Sequence, residues 1–485
     1  MNRQARLRRE LGAVVRLALP VVSVQLGLML MGVVDTMMLG RVSAGALAAG
    51  ALGNSLSFSL MIGAVGILMA IDPLVSQAHG AEDRAAIGAH LERGLVLAVV
   101  LGLPLSLLLW NARPLLAHLG QPPALVEGSA AFIHAIVPGI VPFLLFVFLR
   151  QTLQAMGIVR PAVIAMVVGN LVNFVGDYIL IFGHWGAPAL GVAGSAYATS
   201  IGRFLMLATL GWAARRDLAP YFRGFTREAF LLREHGRQLQ LGVPIGVQYA
   251  LDISVFATVA LLMGRIGVAE LAGHQIALNL SAITYMVPAG VGAAAATRVG
   301  NAIGREDMPG ARRAAAVCLV LGAGIMAVFG VVFVLAPRLL VGLYSPDPGV
   351  VAMGAVLLPI AAAFQVFDGI QAVGVGVLRG AADTRFAALV ALIGYWGFGL
   401  PLGIFLAFHL ALGPRGLWWG LTLGLAIMAL LLLARIFHRF RGQIARVEGV
   451  RLYIDKHGWD VAADEESWRQ YQQDRMAEEY RDDNW

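Results

Sequence analysis

Four aspartates lie inside long apolar stretches of the sequence, and they are the residues best suited to chemistry. They are Asp35 in GLMLMGVVDTMML, Asp177 in GNLVNFVGDYIL, Asp252 in VQYALDISVF and Asp368 in FQVFDGIQAVG. A charged side chain at the centre of a membrane-spanning helix costs about 2.5–3.5 kcal/mol on insertion scales, so each carboxylate is a functional candidate. The alternative for each aspartate is a buried, hydrogen-bonded contact between helices with a purely structural role.

Asp35 and Asp177 are predicted to lie at the same depth. Each follows an arginine at the start of its apolar stretch, Arg16 and Arg160, by a similar number of residues. At about 1.5 Å per helical residue the two carboxylates differ in height by about 3 Å, and Asn173 shares a helix face with Asp177. Two close carboxylates in a low dielectric either share a proton or hold a cation between them. Alternatively, Asp177 lies near the membrane surface and is solvated.

The second half of the sequence has a polar seam of its own. Gln248 and Asp252 are one helical turn apart. Amides and aromatic rings surround Asp368, at Gln365 and Gln371 and at Phe364 and Phe367. A carboxylate among amides and ring faces suits a desolvated organic cation. The alternative is again a hydrogen-bonded contact between helices.

The composition shows what must position these carboxylates. Of the 485 residues, 59% are hydrophobic and only 13% are charged, with a mean hydropathy of +0.76. So few charges cannot cover a soluble protein of this size, which predicts an all-α polytopic membrane protein. The single cysteine, Cys318, excludes an internal disulfide and a cysteine-based metal site. The single lysine, Lys456, stands outside any G-K-[ST] motif and so excludes a nucleotide-binding phosphate loop.

Apolar stretches long enough to cross a membrane predict twelve helices. They are 14–39, 46–72, 94–112, 129–153, 161–183, 190–212, 239–263, 271–296, 314–336, 351–377, 386–410 and 416–437. Arginines cluster in alternate connections, while each remaining connection has one, at Arg41, Arg113, Arg265, Arg338 and Arg415. Cytoplasmic loops carry the excess of basic residues, so both termini are expected in the cytoplasm. The net charge of +7 is therefore a topology signal that requires no nucleic acid.

An internal repeat divides the sequence into two halves. A shift of 224 positions pairs Pro20 with Pro244, Gly40-Arg41 with Gly264-Arg265, Gly80 with Gly304, and Glu82-Asp83 with Glu306-Asp307. Six helices separate the copies, which is the arrangement of parallel-repeat transporters. The predicted domains are a cytoplasmic segment 1–13, a six-helix lobe 14–212, a linker 213–238, a second lobe 239–440 and a polar cytoplasmic tail 441–485. Two fused lobes suffice for one pathway, which predicts a monomer.

Several motifs together resemble the multidrug and toxic compound extrusion (MATE) family, most closely its NorM-like branch. The first half contains LPxxxxQ, VDTMMLGRVSAGALAA and GVAGSAYAT. The second half contains RIGVAELAGHQIALN, VGNAIGRED and VFDGIQAVGVGVLRG. The resemblance covers residues 10–440.

This resemblance implies a secondary active transporter of the bacterial inner membrane with an outward-opening pair of lobes. It implies export of cationic amphipathic compounds in exchange for H⁺ or Na⁺ by alternating access, with no enzymatic activity and no cofactor. Asp35, Asn173, Asp177 and Thr199 fall on the family's coupling-ion site. Asp368 falls on the helix-10 aspartate, and Gln248, Gln365 and Phe364 accompany it in the predicted second-lobe cation site.

Two positions depart from the family pattern. Asp252 stands where the NorM-like branch usually has a glutamate, and Phe364 stands where some sodium-coupled members have a tyrosine. The missing hydroxyl weakens the case for sodium at Asp368 and favours protons, or sodium at Asp35.

Three other functions remain open. A flippase for lipids or lipid-linked precursors would share the lobes, but it is expected to have a cavity rich in arginine or lysine, and these spans contain few cationic residues. A membrane enzyme would need a nucleophile or a metal cluster, which neither Cys318 nor the scattered histidines provide. A passive channel would show flux without saturation.

Overall fold

The computed structural model describes residues 3–222 and 224–447, and every regular element in those ranges is helical. The prediction of an all-α membrane protein is therefore confirmed. The first lobe consists of α1 (Arg3–Val42), α2 (Ala44–Leu68), α3 (Ile71–Gly80), α4 (Arg84–Trp110), α5 (Ala112–His118), α6 (Pro123–Ile136), α7 (Ile140–Ala155), α8 (Arg160–Phe182) and α9 (Val192–Leu218).

The second lobe repeats the pattern with longer uninterrupted helices. It consists of α10 (Gly236–Ile266), α11 (Val268–Gly304), α12 (Met308–Leu335), α13 (Pro337–Gly342), α14 (Pro348–Gly380), α15 (Thr384–Ala391), α16 (Leu400–Ile404) and α17 (Pro414–Arg439). A π-helical segment, Leu392–Gly399, joins α15 to α16, and a second one, Phe405–His409, follows α16; together they form one span, Thr384–His409.

Eleven helical segments of the described chain are long and apolar enough to cross a membrane, against the twelve predicted. The helix that differs is α9, predicted as the span 190–212. At 27 residues it is long enough to cross. Its hydroxyl side chains and Arg203 lower its hydropathy. We retain it as the twelfth long helix of the bundle, since it packs extensively against α8 and α6.

The helices extend beyond the apolar stretches that predicted them. The stretch 94–112, for example, becomes a helix that starts at Arg84, where Asp83 accepts a hydrogen bond from the Ala86 backbone N–H. A side-chain cap of this kind sets the helix start, and the helix runs on into the membrane. Hydropathy locates the bilayer, but the backbone hydrogen bonds set the ends of the helix.

Each lobe has its own core, and α1 contributes to both. Met31 and Val24 belong to the core of the first lobe, while Val14 and Leu17 pack into the core of the second. Pro20 lies between these two parts of the helix. The N-terminal half of α1 therefore packs against the second lobe, although the helix belongs to the first.

The two lobes meet at one end of the bundle, the inner end, where Gly80, Ala155, Gly304 and Gly380 lie. All hydrogen bonds between the lobes within the described ranges lie there, including Gln77 Nε2 to Gly380 O at 3.0 Å and Thr297 Oγ1 to Gln154 O at 3.2 Å. At the opposite, outer end no hydrogen bond joins the lobes in the same ranges. The structure is therefore closed at the inner end.

The connections at the inner end also bind both lobes. Glu92 of α4 accepts hydrogen bonds from the Thr226 backbone N–H and hydroxyl, both at 3.1 Å. After α17, Arg446 pairs with Asp83 at 2.7 Å, and the Val447 N–H donates to Gln77 Oε1 at 2.9 Å. The chain thus returns from the second lobe to the first. The rest of the predicted tail, 448–485, lies outside the described residues, as do residues 1, 2 and 223.

A close approach of the lobes explains the paired glycines of the repeat. A Cβ at Gly80 would lie 2.2 Å from Asn301 O, and one at Gly304 would lie 2.0 Å from Gln77 O. Carbon and oxygen atoms do not approach so closely, so these backbones touch only because both residues lack a side chain.

We predict that Gly304→Ala opens the inner end and destabilises the protein. The added methyl group must displace backbone, and such overpacking costs about 1–3 kcal/mol. The melting temperature of the purified protein should fall by several degrees. The matched control is Gly324→Ala on α12, where a Cβ would meet nothing within 4 Å. Equal melting temperatures for the two variants would contradict the prediction.

Candidate functional site

Three helices of the first lobe bring polar side chains around Asp35. Its Oδ1 accepts a hydrogen bond from Asn173 Nδ2 of α8 at 3.0 Å, and its Oδ2 accepts one from Thr199 Oγ1 of α9 at 3.1 Å. Asn173 and Thr199 also contact each other at 3.2 Å. Asn173 and Thr199 are buried, and Asp35 is partly exposed. We call Asp35, Asn173, Asp177 and Thr199 the acidic cluster.

Asp177 completes the acidic cluster with an unusual environment. Its side chain is fully buried, and neither of its oxygens accepts a hydrogen bond from the described residues. Its carboxyl group lies close to that of Asp35 and to the Ser195 hydroxyl. Because a buried ion without a partner is costly, this pair suits a shared proton or a bound cation. The depth relation predicted from the sequence therefore matches the geometry.

The acidic cluster also has a cationic neighbour that the sequence analysis did not consider. Arg203 lies one turn after Thr199 on α9, where its guanidinium interacts electrostatically with Asp35. The same guanidinium packs over the ring of Phe143 at 4.6 Å. Its Nη1 has no hydrogen-bond partner among the described residues. An arginine in the middle of the predicted span 190–212 was the signal available in the sequence.

The predicted residues of the second lobe separate into two environments. Gln248 and Asp252 of α10, together with Gln371 of α14, line a cavity between the lobes. Gln365 and Phe364 are instead buried inside the lobe. Gln365 Nε2 donates to Thr284 Oγ1 at 2.6 Å, so its amide is already engaged within the lobe.

Phe364 belongs to an aromatic cluster rather than to the cavity wall. Its ring lies 5.9 Å from that of Trp418 and 6.4 Å from that of Phe256. Phe256 in turn contacts Tyr395, which comes from a π-helical segment and lies near Asp252 and Asp368. Such segments are frequent at functional sites. Tyr395 was missed because a tyrosine in an apolar, glycine-rich run gives no spacing signal.

Asp368 of α14 is the second buried carboxylate of this lobe. It is 6% exposed and interacts electrostatically with Asp252 and with the Tyr285 side chain. The second lobe therefore brings together Asp252 and Asp368, with Gln248 beside Asp252. Oxygen-rich groups of this kind can hold a hard cation, but Phe364 contributes no hydroxyl there.

The cavity between the lobes contains both signs of charge. Its volume is about 50 Å³, which is room for a few waters. The charged residues that line it are Asp252, Arg150 and Arg379. Arg150 and Arg379 are 6% and 8% exposed. The predicted spans contain few cationic residues, but two arginines nevertheless line this cavity.

An ion pair closes the cavity at the inner end. Arg379 Nη1 of α14 lies 3.3 Å from Asp72 Oδ2 of α3, and Asp72 is 2% exposed. The two residues are more than 300 positions apart in the sequence, on different lobes. We call this contact the interlobe ion pair.

Comparisons with known proteins agree over most of the chain. The sequence model of the MatE family matches residues 20–179 and 244–405. The multidrug resistance protein NorM of Burkholderia vietnamiensis is 40% identical over 430 residues, which cover 87% of this chain and 92% of that protein. The multidrug resistance protein PmpM of Pseudomonas aeruginosa is 37% identical over 459 residues, which cover 92% and 96% of the two chains.

The fold is also similar to a solved structure. The eukaryotic MATE transporter AtDTX14 aligns with a TM-score of 0.81 and 25% identity, covering 89% of this chain and 96% of that one. The two segments matched by the family begin at Pro20 and Pro244, the prolines that the internal repeat pairs.

Proposed function

The chain belongs to the MatE family, in its NorM-like branch, and from that premise we propose that it is a secondary active multidrug efflux transporter. It exports cationic amphipathic organic compounds in exchange for H⁺ or Na⁺. We place it in the bacterial inner membrane as a monomer with both termini in the cytoplasm, so that the inner end faces the cytoplasm. It has no catalytic role and needs no resident cofactor.

The acidic cluster is the observation that carries this proposal. Its ligand atoms are all oxygens, and several of them lack a partner: both Asp177 oxygens and Asn173 Oδ1. An unpartnered buried acceptor is satisfied by a proton or a cation, and a hard cation prefers oxygen ligands. Asp35, Asp177, Asn173 and Thr199 would hold the coupling ion. Asp368 with Asp252 is the candidate second site.

The proposed cycle alternates between closure at the inner end and closure at the outer end. In the inward-open state the interlobe ion pair is broken, and ionised Asp252 and Asp368 attract a cationic compound from the cytoplasm. In the outward-open state, H⁺ or Na⁺ reaches Asp35 and the compound is released. One charge crossing 100 mV supplies about 2.3 kcal/mol, enough for about fiftyfold accumulation.

The test is transport of a fluorescent organic cation in energised everted membrane vesicles. A pH gradient and a sodium gradient are imposed separately, in vesicles with and without the protein. We expect protein-dependent uptake that saturates and follows one of the gradients, which identifies the coupling ion. Flux that ignores both gradients and does not saturate would instead indicate a channel.

The buried arginines favour one other function specifically, a flippase for lipids or lipid-linked precursors. Such a protein is expected to bind phosphate through arginine or lysine in its cavity, and Arg150 and Arg379 lie there. Asp72 and Asp252 offset this positive charge, so we rank the flippase second. Movement of a fluorescent lipid across reconstituted liposomes, without export of organic cations, would reverse that order.

A further inference from the structure

We propose that the floor of the interlobe cavity is an anion-binding subsite, formed by Arg150, Gln154 and Arg379, that takes the carboxylate of a zwitterionic amphipathic substrate. The inference rests on the proposed export function and specifies its substrate class. The cationic group of the same compound is held at Asp252.

Three buried donors at the cavity floor lack acceptors. Arg150 forms no hydrogen bond with the described residues, and its Nε is buried. Gln154 Nε2 and Arg379 Nε are likewise buried and unpartnered. Leaving buried donors unsatisfied is costly, so a site with three of them is built for an acceptor. Arginine also binds planar carboxylates with a pair of parallel hydrogen bonds.

The charges at the floor do not balance. Arg150 and Arg379 both interact with one carboxylate, Asp72, so one guanidinium charge at the floor has no carboxylate of its own. Asp252 offsets that charge only for the cavity as a whole. Asp72 Oδ1 has no partner either, so the existing pair does not satisfy Arg150. Because a buried charge without a counter-ion is unfavourable, a second anionic group at the floor would stabilise the whole set.

Another part of the cavity wall has the opposite chemistry. Asp252 Oδ1 is buried and unpartnered, and Gln248 lies beside it. The cavity therefore offers donors from α7 and α14 and an acceptor from α10. Its volume of about 50 Å³ holds a carboxylate group with a few waters and not a whole amphipathic molecule.

The test compares two dyes that differ only in this carboxylate. Tetramethylrhodamine with a free benzoate is zwitterionic at pH 7, and its methyl ester is a plain cation. Binding of both to the purified full-length chain is measured by fluorescence anisotropy in nanodiscs of phosphatidylcholine alone, which excludes anionic lipid headgroups. We compare the wild type with Arg150→Gln and Gln154→Leu. The control is Arg113→Gln, because Arg113 is exposed and forms an ion pair with the exposed Glu127.

We expect Arg150→Gln to weaken binding of the free acid at least about tenfold and to leave the ester within about twofold, because only the acid accepts charge-assisted hydrogen bonds there. Gln154→Leu removes a neutral donor and should weaken the acid about threefold. It keeps the test valid if Arg150→Gln does not fold. Arg113→Gln should change neither.

Two results would overturn the subsite. One is an equal loss for acid and ester, which would make Arg150 a purely structural residue. The other is unchanged acid binding in both Arg150→Gln and Gln154→Leu. The ester reports on cation binding alone. If the wild-type protein binds the ester and binds the free acid no more tightly, the subsite is rejected while the export function stands. Absence of ester binding would count against the export function itself.

Discussion

Replacing Asp35 with asparagine is expected to abolish gradient-driven export while leaving the protein folded. Asparagine keeps the size of the side chain and one acceptor for Asn173 or Thr199, which donate to Asp35 at 3.0 and 3.1 Å. It cannot exchange a proton and brings no negative charge to a cation. Transport of a fluorescent cation in everted vesicles should fall at least about a hundredfold, because the lost charge is the one that couples the gradient to export.

Asp35→Asn should remain folded because it removes the repulsion between two neighbouring carboxylates. Asp35 and Asp177 bring two carboxyl groups together in a site where only one charge is easily accommodated. The melting temperature of Asp35→Asn should therefore equal or exceed that of the wild type. The matched control is Asp347→Asn, since Asp347 is an exposed helix cap before α14 and asparagine caps equally well. Full export by Asp35→Asn would remove Asp35 from the mechanism.

Replacing Asp72 with alanine is expected to open the inner end of the bundle. Removing one partner of a buried ion pair costs about 3–5 kcal/mol, because the remaining charge is left uncompensated. Arg379 loses its only ion pair among the described residues, and Arg150 loses the carboxylate with which it interacts. The population closed at the inner end should fall about a hundredfold or more.

Thiol labelling measures this opening directly. The native Cys318 is buried and is replaced with alanine, and Asn301→Cys places a thiol at the junction of the lobes, where Asn301 is 7% exposed. Maleimide labelling of that thiol should accelerate strongly in Asp72→Ala. The control is Asp72→Ala combined with Arg379→Met, which removes the stranded charge and should recover part of the closed population. Equal labelling rates with and without Asp72 would show that the interlobe ion pair does not hold the lobes together.

Parts of the site followed from the sequence because they depend on one helix at a time. Helical rise alone places Asp35 and Asp177 at one depth, and helical periodicity places Asn173 beside Asp177. Thr199 came only through the family resemblance, since nothing in its spacing indicates a site. The structure brings all four together, and their roles stay predictions until Asp35→Asn is measured.

For the polar residues of the second lobe, the sequence could not show which ones line the cavity and which are buried inside the lobe. Gln248 and Gln365 each lie one turn or less from an aspartate, yet only Gln248 faces the cavity. Which face of α14 is turned inward depends on how α11 and α17 pack against it, and both contacts are extensive. A row of polar residues in the sequence identifies a buried helix face, but it does not show whether that face lies against another helix or against the cavity.

The sequence by itself determined the membrane setting, the helical class, the repeat and the positions of the carboxylates. These properties follow from composition, from hydropathy over about 20 residues and from helical geometry, all of which are local. Only the tertiary structure decided that Arg203 lies near Asp35, that Arg379 pairs with Asp72 of the other lobe and that Arg150 lines the cavity without a hydrogen-bond partner among the described residues. Those contacts join helices distant in the sequence, and their partners are chosen by how the two lobes pack.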